Sequence, residues 1–173
     1  MNEVNILKHK AQRVAVFIDV QNLYHSAKNL YGARVNFKEV LRFAVEGREL
    51  VRAFAYVIRT ESGEEKPFLE ALTKMGIETR IKDLQIFPGG MKKADWDVGM
   101  AIDAVRLAGT FIDAIVLITG DGDFVPLVEY LKANGVRVEV MAFARSASQK
   151  LQESTDEFTD LGADQRKFLM RIR

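Results

Sequence analysis

Two aspartates one residue apart, Asp121 and Asp123, close the run AIVLITGDGDF from Ala114 to Phe124. Two hard anionic ligands at that separation suit Mg²⁺ or Mn²⁺, which prefer oxygen donors. Gly120 and Gly122 flank Asp121 and free the backbone to turn sharply, so that both carboxylates can face one spot. Plainer roles exist for the same residues. Asp123 fits the N-cap of a following helix with Pro126 in its first turn, and Asp121 fits an ordinary turn. What precedes the pair weighs on the choice. Ala114 to Thr119 is an unbroken apolar or β-branched run, the pattern of a strand buried on both faces of a parallel sheet. Ligands of open α/β sheets bind beyond the carboxyl ends of such strands.

A second strand of this kind ends the same way. Arg13 to Asp19, RVAVFID, is a short apolar run closed by a carboxylate. An ionised group at a buried strand end is unfavourable unless it is paired or bound to metal. Asn22 follows three residues later, placed to cap a helix or to help hold a ligand. The segment DWDVGMAIDAVRL reads as a helix from Asp95 to Leu107. Asp97 falls in its first turn, where the helix dipole favours a carboxylate. Asp103 lies six residues on and off that face, either supporting the site or facing solvent beside Arg106. Thr119 is the hydroxyl nearest the aspartate pair, and neither His9 nor His25 can be placed beside it as a base. The implied chemistry is therefore metal-assisted, with an ion activating water and stabilising charge on a phosphoryl oxygen.

The elements that must position these groups alternate. Strands are expected at Arg13–Asp19, Val51–Ile58, Ile77–Leu84, Ala114–Thr119 and Val136–Phe143. Between and after them, helices are expected at Leu23–Tyr31, Phe37–Val45, Pro67–Met75, Asp95–Leu107, Phe124–Ala133 and Ser146–Gln152. Alternation of this type implies an α/β fold, a three-layer Rossmann-like parallel sheet of about five strands with right-handed crossovers. The order 3-2-1-4-5 sets the first and fourth strands side by side at the switch point, so Asp19 and Asp121 project from neighbouring strand ends with Asp97 and Asp123 close by. Their mutual repulsion is large without a divalent cation. Residues 1–12 read as a lead-in, 13–161 as the domain, and 162–173 as a basic, apolar tail, helical and docked on the body or on a partner subunit.

Composition narrows the functional classes. The chain has 173 residues, 48% hydrophobic and 28% charged, enough for one full core. A net charge of +1 argues against a strongly basic nucleic-acid binder but leaves room for local patches. With no cysteine, thiolate zinc sites, disulfides and cysteine nucleophiles are excluded, and a reducing, cytoplasmic setting is compatible. No run is long and apolar enough to cross a bilayer, and no signal-peptide layout is visible, so no membrane partner is expected. Lys92 and Lys93, in the loop QIFPGGMKKA, are candidate phosphate contacts, as is Arg145; a solvated loop is the plainer reading for the lysines.

Three stretches carry a family resemblance. VFIDVQN at Val16–Asn22 resembles the opening motif of the NYN domain family, in its LabA-like branch. WDVGMAIDAV at Trp96–Val105 resembles the second motif, in which one aspartate opens a helix and another follows six residues on. LITGDGDFVPLVEYLKANGVRVEV at Leu117–Val140 is similar to the third and most specific. The chain departs from the family pattern before the second motif, where Lys92 and Lys93 are followed by Ala94 and Asp95. The resemblance implies a PIN-like fold and a Mg²⁺- or Mn²⁺-dependent ribonuclease site. Asp19, Asp97, Asp121 and Asp123 would be the catalytic metal ligands, and Asn22, Asp103 and Thr119 the supporting polar residues. The implied partner is RNA, most simply single-stranded, and the tail offers a contact for a homodimer. The alternative is a regulatory or scaffold member of the same family that keeps the fold without turnover. Haloacid-type phosphatases are disfavoured because Asp19-Val20-Gln21 lacks their second acid. A receiver domain is disfavoured because Arg137 and Arg145 are poor substitutes for its late lysine.

Overall fold

The computed structural model describes residues 8–90 and 92–172, with the side chains of Lys92 and Lys93 outside the described set. In chain order the elements are β1 (Arg13–Asp19), α1 (Val20–Tyr31), β2 (Ala33–Val35), α2 (Phe37–Val45), β3 (Glu49–Arg59) and α3 (Lys66–Lys74). They continue with β4 (Glu78–Asp83), β5 (Gln85–Ile86), β6 (Lys92–Lys93), α4 (Asp97–Ala108), β7 (Ala114–Ile118) and α5 (Val125–Ala133). The last are β8 (Arg137–Ala142), α6 (Gln149–Ser154), β9 (Glu157–Asp160), α7 (Gln165–Phe168) and β10 (Leu169–Arg171).

The main sheet has the order β4-β3-β1-β7-β8-β9 and every pairing in it is parallel. The five expected strands stand in the expected 3-2-1-4-5 order, and β9 adds a sixth beside β8. It escapes sequence reading because its four residues are all half-buried and give no apolar run. Alternation along β1 divides the core into two layers. Val14, Val16 and Ile18 face α1, α2 and α3, whereas Ala15 and Phe17 face α4, α5 and α6. The Phe17 and Phe54 rings stack at 5.3 Å between centroids within the second layer.

The tail departs from the expected long helix. It makes one helical turn, α7, and then β10 pairs antiparallel with β2, Leu169 against Val35. Phe168 is buried in the first layer, so the segment closes the core. Residues 1–7 of the expected lead-in lie outside the described residues; from Lys8 onward it is tied down. Lys8 pairs with Glu46 and Glu157, and Glu139 is 3.7 Å away. At this end of the sheet Arg48 and Glu139 form a buried bidentate pair, with bonds of 2.7 and 2.8 Å. Arg137 joins it at 3.0 Å from Glu139. No helix among the described residues is long and apolar enough to cross a membrane.

Candidate functional site

Parallel register builds the site from the strand ends. Ile18 pairs with Ile118 across β1 and β7, and Asp19 pairs with Tyr56 across β1 and β3. Asp19, Thr119 and Tyr56 therefore reach the carboxyl edge of the sheet at one level. Above them opens a cleft of about 280 Å³ whose walls include Asp19, Asn22, His25, Tyr56, Asp95, Trp96, Asp97 and Asp121.

Asp97, Asp121 and Asp123 each offer a carboxylate oxygen, and these oxygens lie within 4.8 Å of one another. All three donors are hard oxygens, with no thiolate or imidazole in the set, which fits Mg²⁺ or Mn²⁺ rather than a softer ion. Asp97 comes from the first turn of α4. Asp121 and Asp123 come from the turn after β7, where the Asp121 carboxylate accepts the Asp123 N–H at 2.9 Å. That bond makes Asp121 the N-cap of a single 3₁₀ turn, Gly122–Phe124, before α5 starts. Asp123 is therefore not the helix cap that a local reading allows. It sits within the 3₁₀ turn, while Pro126 takes its expected place in the first turn of α5.

The two glycines act through space, not through an unusual backbone. Neither has a positive φ. A Cβ on Gly120 would lie 3.1 Å from Ala147, and one on Gly122 would lie 2.8 Å from Ser148 Oγ. The loop before α6 presses on the turn, and Ser148 N–H donates to the Gly120 carbonyl at 2.9 Å.

Asp19 lies beside the triad, outside that group of three. Its carboxylate accepts the Thr119 hydroxyl at 2.9 Å and the Asn22 N–H at 3.3 Å. This makes Asp19 the N-cap of α1, a role that local reading offered to Asn22. Asn22 instead accepts the Gly120 N–H at 2.8 Å and joins the ends of β1 and β7. The Thr119 hydroxyl also accepts the Asp121 N–H at 3.2 Å, so one buried threonine links two of the acids. Asp103 points away from the cluster. It accepts the Tyr56 hydroxyl at 2.8 Å and lies 3.6 Å from Arg80. Arg145 is not in the cleft wall; its guanidinium lies 5.8 Å from the centre of the Tyr31 ring. The backbone of Lys92 and Lys93 pairs with Gln85 and Ile86, and their side chains lie outside the described residues.

Crowding sets the electrostatics. Burial, followed by the charges of Asp121, Asp19 and Asp95, pushes the Asp97 carboxyl up to about 7. Burial also raises Asp19, against the opposing hydrogen bonds from Thr119 and Asn22. A cation among these oxygens would relieve both shifts.

Four residues of the cleft carry no functional reading from sequence. Asp95 accepts the Asp97 N–H at 3.2 Å from just before α4, which begins at Asp97, two residues later than the sequence predicts. Its place in an Asp-Trp-Asp run was a usable signal. Trp96 forms a wall, its indole N–H on the Val57 carbonyl at 3.1 Å and its ring 5.5 Å from that of Tyr56. His25 sits one helical turn beyond Asn22 on α1 and lines the cleft, although in sequence it looks like any surface histidine. Tyr56 lies in an apolar strand run that gives no hint of its hydroxyl partner.

Comparison with known proteins gives the same reading over nearly the whole chain. The family model of the NYN domain matches residues 13–162. The low amplitude and bright protein LabA of Synechococcus elongatus is 29% identical over 92% of this chain and 89% of its own length. An uncharacterized protein of Methanocaldococcus jannaschii, MJ0482, is 28% identical over 88% of this chain, which spans 56% of that protein. Among solved structures, the protein of unknown function VPA0982 from Vibrio parahaemolyticus superposes with a TM-score of 0.84 at 30% identity, covering 94% of this chain and 99% of that one. The strand-end acids, the parallel order around β1 and β7 and a family match spanning both lead to one assignment: the chain belongs to the NYN domain family, in its LabA-like branch.

Proposed function

We propose that this protein is a ribonuclease that hydrolyses phosphodiester bonds of single-stranded RNA with a bound Mg²⁺ or Mn²⁺. The carrying observation is the meeting of Asp97, Asp121 and Asp123 within 4.8 Å at the carboxyl edge of the sheet. Membership of the NYN domain family supports RNA as the substrate class. Asp97, Asp121 and Asp123 would hold the ion. Bound there, it would supply positive charge against the phosphate and ease deprotonation of water.

The rest is the work of the chain. Thr119 and Asn22 hold Asp19 in one orientation beside the three acids, leaving it as an acceptor at the cleft floor. Trp96 and Tyr56 form an aromatic wall of the cleft beside the acids. Asp103 acts at one remove, by fixing the Tyr56 hydroxyl. Lys92, Lys93 and Arg145 are assigned as contacts to phosphates away from the cleaved bond. The setting is the cytoplasm.

The test is cleavage of labelled single-stranded RNA with Mn²⁺, with Mg²⁺ and with chelator, alongside the Asp121→Asn and Asp123→Asn proteins. Metal-dependent cutting that both variants lose is the expected result. Equal cutting by the variants would trace the activity to a contaminant. Metal binding without turnover would overturn the nuclease reading in favour of a regulatory member of the family.

A further inference from the structure

Helix α4 is apolar on both sides. Met100 and Ala104 are buried against the sheet. On the opposite side Val98 is 71% exposed, Ile102 46% and Val105 37%. At 100° per residue these three fall within a stripe about 60° wide. The half-buried Ala101 and Ala108 flank it and leave room for close approach. The exposed side of α3, by contrast, carries Glu70, Thr73 and Lys74. The outer face of a surface helix is normally charged or polar, so an apolar stripe there stands out.

We propose that this stripe is the two-fold interface of a homodimer, with α4 of a second copy packed antiparallel across Ile102. The stripe is self-complementary under that operation. Ile102 meets Ile102 of the second copy, and Val98 meets Val105 of the second copy, as an isologous contact requires. The charges agree as well. Arg106, at the far end of α4, makes no hydrogen bond or ion pair among the described residues. Asp95, just before the helix, keeps an exposed carboxylate. In the antiparallel pair Arg106 falls opposite Val98 of the second copy. Asp95 of that copy is three residues further, roughly 4.5 Å along the axis and within reach of a guanidinium.

The area is of the right order. The stripe leaves on the order of 300 Å² of apolar surface, comparable with the largest patch on a typical monomer, which is often functional. A standard interface takes about 800 Å² per partner, with an apolar centre and a polar, aromatic rim. Neighbouring α5 presents Tyr130, 49% exposed, to such a rim. The homodimer contact thus lies on α4, whereas the C-terminal tail is engaged with β2 in its own chain.

The absence of cysteine makes the test direct, since a single introduced cysteine reports only on its own position. Light scattering across a concentration series should give twice the 19.5 kDa chain mass for the native protein. Ile102→Glu should give the single mass with an unchanged circular dichroism spectrum. Under mild oxidation, Ile102→Cys should form a covalent dimer, and Lys74→Cys on α3, across the sheet, should not. A monomeric native protein overturns the proposal. So does an Ile102→Cys chain that cross-links no faster than Lys74→Cys.

Discussion

The Arg48–Glu139 pair makes a quantitative prediction about stability. Both side chains are buried, 1% and 7% exposed, and two charge-assisted bonds of 2.7 and 2.8 Å join them. Removing one member of such a pair costs about 3–5 kcal/mol, because the other charge stays buried without its partner. The surroundings make the two removals unequal. In Arg48→Met, Glu139 keeps Arg137 at 3.0 Å and Lys8 at 3.7 Å, which puts the loss at about 3 kcal/mol. In Glu139→Gln, the cations of Arg48, Arg137 and Lys8 surround a neutral amide, which puts the loss at about 4–5 kcal/mol. For a chain of this length each kcal/mol shifts Tm by about 2–4 °C, so the expected drops are roughly 6–12 °C and 8–20 °C. The double variant should lose less than the sum of the singles, by about 2 kcal/mol. Acid adds a second reading. Burial alone would raise the Glu139 carboxyl, but Arg48, Lys8 and Arg137 together hold the group below the usual glutamate range. Stability from this pair is therefore present above the unfolded value and lost as pH falls through the folded one. Glu139→Gln should flatten the acid side of the stability profile. Urea unfolding across pH measures all of this. The account fails if Arg48→Met is the costlier variant, or if the single losses simply add.

Other expectations concern the cleft. Asp97→Asn should raise Tm in chelator by roughly 2–4 °C, since it removes a carboxyl pushed up to about 7 by burial and by Asp121, and Mg²⁺ should narrow the gap by stabilising the native protein. Calorimetry with and without chelator measures both effects. Thr119→Val keeps the shape but removes the donor to Asp19, with a loss of about 1–2 kcal/mol and weaker cleavage, read by urea unfolding and the RNA assay. Gly122→Ala would force a Cβ to 2.8 Å from Ser148 Oγ, which caps α6. It should cost about 1–3 kcal/mol and weaken metal binding by isothermal titration, because Asp121 and Asp123 share that turn.

Most of the sheet was legible because each central strand is an unbroken apolar run ended by glycine or a carboxylate, as in VAVFID and AIVLITGD. The strands that escaped are those whose order comes from pairing partners. β2 and β10 are three residues each and have strand form only because each meets the other. In the site, the acids that end strands or open α4 were visible as chemistry at predictable places. That Asp103 turns to Tyr56, and that Asp19 stands beside the triad instead of within it, depends on hydrogen bonds across elements. No local pattern encodes those bonds. The role of Gly120 and Gly122 was misread for the same reason, since Ala147 and Ser148 approach them from a distant loop.

The pairing of β1 with β7 also fixes when the site comes into being. The hydrogen bond between Thr119 and Asp19 spans 100 residues of sequence, and Asp97 reaches the cluster from between them. A chain emerging from the ribosome can form β1, α1 and β3 early, yet the acids remain scattered until β7 inserts at the middle of the sheet. Contacts this far apart form late because loop closure precedes any gain from pairing. Truncated products that end before Asp121 lack two of the three clustered acids. The acid cluster is therefore a late product of synthesis: no copy that ends before Asp121 can bring the three carboxylates together.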